Sequence, residues 1–198
     1  MTSKFTNVTF RRDDTEMLRF FIFKSRGIKM TNHIVLFEPL IPANTGNIAR
    51  TCAATDTVLD LIEPLGFKTD DKHLKRAGLD YWASVKIRYH KNLDAFLETV
   101  PDKNYLFLIS KFAEKVYTDQ DFSAPDHDYY LMFGKETTGL PEPFQRANRE
   151  RNLRIPMTDK VRSLNLSNCA ALVIYEVLRQ QHFAGLELTH TYEHDKLK

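Results

Sequence analysis

No run in the 198 residues approaches the roughly 18 consecutive apolar residues of a membrane span. "LRFFIF" (18–23) is too short, is flanked by charge and lacks a small-residue cleavage site, so it does not read as a secretory leader. Cysteine is scarce as well. Cys52 and Cys169 each sit in an apolar helix-like run, and buried free thiols are expected rather than a disulfide. The expectation is a soluble, cytoplasmic protein. Nucleotide-loop signatures are also missing. There is no Gly-x-Gly-x-x-Gly, and "GKETTG" (134–139) is followed by Leu140-Pro141 where a P-loop requires Gly-Lys-Ser/Thr. His190 and His194 have helical metal spacing but lie in a polar tail without cysteine, so no metal is expected. No Ser-His-Asp or Cys-His pairing stands out, and there is no internal repeat.

A large excess of one charge is absent too. The net charge is +2, and residues 1–29 hold seven Lys/Arg and three Asp/Glu, which is +4 and leaves −2 for the rest. The body is therefore not generally basic, and any nucleic-acid contact needs local basic patches. The first 29 residues are basic, Phe-rich and without periodicity. They form a separate N-terminal extension, open to three readings: a mobile segment, an RNA-contacting tail, or translation from an upstream start.

What is present is an alternation. Strand-like runs occur at 33–37, 58–63, 84–90, 104–111, 128–134 and 153–157. Helix-like stretches occur at 44–56, 70–79, 93–100, 141–150 and from about Ser167 to His182. Strands alternating with helices, several of them apolar on both faces, predict an α/β fold with a mainly parallel sheet covered on both faces. One domain is expected over 30–185, with a polar C-terminal tail at 186–198. Ligands of such sheets bind in the loops beyond the carboxyl ends of the strands.

The densest polar signal is "VRSLNLSN" (161–168), at the mouth of an apolar helix. Ser167 or Asn168 is expected to cap that helix, which leaves Arg162, Ser163 and Asn165 in surplus and suggests a ligand at the helix N-terminus. Asn44 likewise reads as a cap for the helix of "NTGNIAR" (44–50). The run from Cys169 to Leu178 reads as apolar nearly all round, so a second subunit is expected to cover it. On that reading, Val173→Asp disturbs cofactor binding and dimer together.

Three stretches in this order, "NTGNIARTC", "YLMFGKETTGLP" and "LRIPMTDKVRSLNLSNCAALVIYE", resemble the motifs of the SPOUT class of RNA 2′-O-methyltransferases. The likeness runs from Asn32 to about Gly185 and is nearest the bacterial subfamily acting on the wobble ribose of leucine tRNAs. It implies a C-terminal trefoil knot, which periodicity alone does not give. It also implies S-adenosylmethionine as cofactor, tRNA as substrate and a homodimer. By motif position, cofactor contacts fall on Leu108, Gly134, Ile155 and Ser163, with Glu136, Leu164 and Asn165 nearby. "ISKF" (109–112) departs from the Thr-Thr-Lys-Gly more usual there, which makes Ile109 an alternative to Leu108. Arg50 occupies the position assigned to activating the ribose hydroxyl. Its high pKa leaves two roles open, base or orienting group. Arg162 and Asn168 shape the site, and Tyr175 lies at the RNA or dimer surface. Lys72, Lys75, Arg76 and Arg88 are candidate phosphate contacts. A ribosomal-RNA 2′-O-methyltransferase and a non-catalytic dimeric RNA-binding protein are the alternatives.

Overall fold

The computed structural model describes residues 30–68, 82, 84–124 and 126–189. The N-terminal extension, the expected basic helix at 70–79 with Lys72, Lys75 and Arg76, and the tail from 190 onward lie outside the described residues. Among the described residues, no helix is long and apolar enough to cross a membrane.

Among the described residues, seven strands form one sheet. They are β1 (Asn32–Phe37), β2 (Val58–Ile62), β3 (Ile87–His90), β4 (Leu106–Ile109), β5 (Lys115–Val116), β6 (Tyr129–Phe133) and β7 (Asn152–Arg154). Their spatial order is β3-β2-β1-β6-β4-β7-β5, and every pairing is parallel. Apart from β1, which starts one residue earlier than expected, the strands are shorter than the apolar runs that predicted them. β5 was not foreseen, since two residues carry no period.

Parallel strands need cover on both faces, and the side chains divide accordingly. Ile34, Leu36, Leu59, Leu61, Leu131 and Phe133 point to one core. Val35, Phe37, Ile62, Leu108, Tyr130 and Met132 point to the other. The second face is not wholly apolar. Asp60 is buried between two histidines, 2.6 Å from His33 Nδ1 and 2.6 Å from His90 Nε2. A buried carboxylate without such ring N–H partners would carry its full desolvation cost.

Among the described residues, four α-helices accompany this sheet: α1 (Pro42–Thr55), α2 (Leu93–Thr99), α3 (Glu142–Ala147) and α4 (Leu166–Gln180). Two expected caps are corrected. Proline at the first turn starts α1 earlier than anticipated, so Asn44 lies inside the helix and is buried. The cap of α4 is Asn165, not Ser167 or Asn168. Asn165 has non-helical backbone angles (φ −58°, ψ 139°), and its Oδ1 accepts from the Ser167 N–H at 2.8 Å and from the Ser167 hydroxyl at 2.6 Å.

The apolar shaft of α4 is covered differently from expectation. Ala170, Val173, Ile174, Val177 and Leu178 are buried within the chain's own core, at the i, i+3, i+4, i+7, i+8 spacing of one helical face. Each aliphatic among them contributes roughly 1.5–3 kcal/mol by burial. Val173 therefore holds this chain together rather than facing a partner. Leu172 and Tyr175 stay 44% and 47% exposed, and Glu176 with Arg179 forms an ion pair at 2.8 Å.

β7 lies between β4 and β5, although both precede it in the chain. The 110–114 connection from β4 to β5 therefore spans a gap that a later strand fills.

Candidate active site

The carboxyl ends of β1, β6, β4 and β7 are neighbours, and the segments that leave them meet at one cavity of about 500 Å³. This is where a parallel sheet offers a ligand site, and the volume suits a nucleoside-sized molecule. The β1 exit supplies Ile41 and Asn44. The β4 exit supplies Ile109 to Phe112, and the β6 exit supplies Gly134 to Leu140. The β7 exit supplies Ile155, Met157 and Ser163 to Leu166.

Side chains from these exits are tied to one another. Glu136 reaches from the loop after β6 to the start of α1, which has no side-chain cap of its own. Its carboxylate accepts from the Leu40 N–H at 2.9 Å, the Ile41 N–H at 3.2 Å and Asn44 Nδ2 at 3.0 Å. A negative group at a helix N-terminus is favoured by the orphan N–H groups and the helix dipole together. Asn44 Oδ1 in turn accepts from Asn165 Nδ2 at 2.9 Å, and Asn165 caps α4. One chain of hydrogen bonds thus joins Glu136 and the starts of α1 and α4 through Asn44.

The 134–140 loop is closed tightly. The Lys135 N–H donates to the Gly139 carbonyl at 3.2 Å, and the Gly139 N–H returns to the Lys135 carbonyl at 2.9 Å. A Cβ on Gly134 would lie 2.2 Å from the Gly139 carbonyl carbon, so no side chain fits. Gly139 has φ +73°, the left-handed region that glycine enters without strain. Lys135 pairs with Glu38 and also lies 5.6 Å from the Phe37 ring centre.

Gln145, on α3, is the residue that sequence reasoning missed. It is buried, its Nε2 donates to the Leu140 carbonyl at 2.8 Å, and its Oε1 accepts from the Ser110 hydroxyl. Asn152 Nδ2 donates to its backbone carbonyl at 3.1 Å. It fastens the β4 exit, the β6 loop and β7 together. Only a polar residue amid the helix pattern of "PEPFQRANRE" hinted at it.

Of the residues expected at a cofactor site, Gly134, Glu136, Ile155, Ser163, Leu164 and Asn165 border the cavity. Leu108 does not. Its position on β4 places it in the core of the opposite sheet face, and Ile109 borders the cavity in its place. Cys169 also borders it, and burial pushes its thiol up from the ordinary value, so the wall there is neutral. Arg50 is exposed on α1 and does not line the cavity of its own chain. Arg162, Asn168 and Tyr175 are exposed near α4, and Arg88 is exposed on β3, on the far side of the sheet from β7. Among the described residues, no His, Cys, Asp and Glu group is arranged to hold a metal ion.

Known proteins resemble this chain in sequence and in fold. A relative from Lactococcus lactis subsp. cremoris is 64% identical over 168 residues, covering 84% of this chain and 99% of its own. The tRNA (cytidine(34)-2′-O)-methyltransferase of Saccharophagus degradans is 48% identical over 155 residues, covering 77% of this chain and 97% of its own. A solved structure bearing on the 2-OH methylation of C/U34 on tRNA superposes with a TM-score of 0.71 at 43% identity, covering 77% of this chain and 97% of that one. A sequence model describing the SpoU rRNA Methylase family matches residues 31–175, and the chain belongs to that family.

Proposed function

We propose that this protein transfers a methyl group from S-adenosylmethionine to the ribose 2′-hydroxyl of the wobble nucleotide of tRNA, cytidine or a modified uridine 34, with leucine isoacceptors as substrates. The observation that carries the reading is the hydrogen-bonded closure of Glu136, Asn44 and Asn165 around a cavity at four strand ends. Relatives with that nucleotide in their names match over nearly their whole length.

S-adenosylmethionine, when bound, supplies a methyl group on a sulfonium centre that an oxygen nucleophile attacks in line. The chain's contribution is positioning, which can supply much of such a rate enhancement. Gly134, Ile155, Ser163 and Leu164 would hold the cofactor, with Ile109 rather than Leu108 on the β4 side. Glu136 and Asn165 would fix the cavity walls by holding the helix starts. Arg50 would orient the ribose hydroxyl or an adjoining phosphate and stabilise the developing alkoxide. At a pKa of roughly 12.5 or more, an arginine is a poor general base, which favours the orienting role.

Residues 30–185 would be the methyltransferase domain, in a cytoplasmic homodimer that brings Arg50, Leu172 and Tyr175 to the partner. The C-terminal segment would be knotted. The placement of β7 inside a gap spanned by the earlier 110–114 connection supports such threading.

Nucleoside mass spectrometry of tRNA from cells with and without the gene tests the substrate. The expected result is loss of one 2′-O-methylated nucleotide at position 34 in leucine tRNAs. Loss of a ribosomal-RNA methylation instead, with tRNA unchanged, overturns the tRNA assignment. Arg50→Ala is expected to keep cofactor binding and to lower turnover at least about a hundredfold. Near-normal turnover would remove Arg50 from the mechanism.

A further inference from the structure

A second cavity, of about 820 Å³, opens beside the first and shares with it Phe112 and the backbone from Thr138 to Leu140. Phe112 is 75% exposed. Its loop is nonetheless pinned. The Ser110 N–H donates to the Leu153 carbonyl at 3.0 Å, the Phe112 N–H to the Ser110 hydroxyl at 3.2 Å, and the Ala113 N–H to the Ser110 carbonyl at 3.3 Å. The Arg154 guanidinium donates to the Lys111 carbonyl. A large apolar ring held in solvent by a fastened loop is a surface waiting for a partner.

Its surroundings define that partner. Lys111 Nζ lies 5.1 Å from the ring centre. Arg146 and Arg149 line the second cavity, and pair with Glu142 and Glu114 at side-chain exposures of 72–80%. Such exposed pairs contribute little, so either guanidinium is free to exchange its carboxylate for a phosphate. Asn152 borders the same cavity, is 8% exposed, and its Oδ1 accepts no hydrogen bond. That atom is sealed from solvent, so a donor reaches it only when the side chain turns outward. An aromatic face interleaved with cations is the chemistry that holds single-stranded nucleic acid.

Resting on the tRNA reading above, we propose that Phe112 is a stacking platform for an unpaired nucleobase of the RNA next to the methylated nucleotide, with the adjoining phosphates running over Lys111, Arg146 and Arg149. Phe112 is then a substrate-positioning residue at the border between the cofactor cavity and the RNA.

Steady-state methylation by the full-length protein, with tRNA varied at saturating cofactor, tests it. Phe112→Ala is expected to raise KM for tRNA about tenfold, with kcat within about twofold and a much smaller change in cofactor affinity by calorimetry, and Phe112→Tyr to restore KM. In Phe112→Trp, the added indole fluorescence is expected to be quenched by an unmodified anticodon stem-loop. A Phe112→Ala enzyme with unchanged KM for tRNA overturns the proposal. So does one whose defect is weaker cofactor binding alone, since the ring would then be a cofactor wall. Absence of methyl transfer to tRNA by the unaltered protein is a different failure, that of the parent reading.

Discussion

Asn165 Nδ2 donates to Asn44 Oδ1 at 2.9 Å across 121 positions of sequence. The same Asn165 side chain caps α4 through its oxygen, while Asn44 Nδ2 donates to Glu136. Each asparagine uses both ends of its amide, so the starts of two helices and the loop after β6 are set relative to one another.

Asn165→Asp separates these duties. The carboxylate keeps an acceptor for the Ser167 N–H but has no donor for Asn44, and it brings a second negative group toward Glu136. Stability is expected to fall by about 1 kcal/mol, and cofactor affinity, read by calorimetry, about tenfold. Unchanged affinity in a folded variant would show that the amide bridge does not shape the cavity.

Glu136 is the remote cap of α1. Glu136→Ala leaves the Leu40 and Ile41 N–H groups and Asn44 Nδ2 without their acceptor. The site is only part-buried, so water recovers some of the loss, and about 2 kcal/mol is expected from the urea midpoint. Glu136→Gln keeps an acceptor oxygen but not the charge at the helix start, and a loss nearer 0.5 kcal/mol is expected. Equal losses in the two variants would mean that the carboxylate's hydrogen bonds are not what matters.

Gly134 allows no side chain. A Cβ would sit 2.2 Å from the Gly139 carbonyl carbon and 2.3 Å from the Leu140 nitrogen, both backbone atoms that cannot rotate away. Gly134→Ala is expected to open the Lys135–Gly139 pairing, to cost roughly 3 kcal/mol, and to abolish cofactor binding. A crystal structure of the variant with the loop unchanged would refute this.

Neighbouring positions on α4 should part company. Val173 is fully buried in the chain's own core, whereas Leu172 is 44% exposed. Val173→Asp buries an unpaired charge and is expected to unfold the protein, with the far-ultraviolet dichroism lost. Leu172→Asp is expected to keep the fold and shift sedimentation toward the monomer. A Leu172→Asp protein that sediments like the parent would place the partner surface elsewhere.

The parallel sheet was legible in the sequence because it rests on local signals, whereas the residues expected at the site came from the resemblance of three motifs. Apolar runs such as "YYLMF" and "HIVLF" exist only to be buried on two faces, and the glycines of "GKETTG" mark a tight turn. What stayed hidden depends on long-range pairing. Nothing local says that Asn44 belongs to Glu136 rather than to its own helix start, or that Gln145 ties Ser110 to Leu140. The face of α4 was misjudged for a related reason. The run reads as apolar all round, and only the sheet's position separates core-facing Val173 from exposed Leu172 and Tyr175. One residue along β4 likewise decides between Leu108 in the far core and Ile109 at the cavity, since successive strand residues face opposite ways.

The order in which the strands are made differs from the order in which they lie. β5 pairs only with β7, which is synthesised some 36 residues later, so β5 has no neighbour until β7 arrives. During synthesis the sheet stops at β4, with an unfilled slot beside it. The cavity walls contributed by Ile155 to Leu166 come later still. A chain stalled on the ribosome before that point can hold its first strands together and yet has no place for a methyl donor, so the site comes into being only with the last helix.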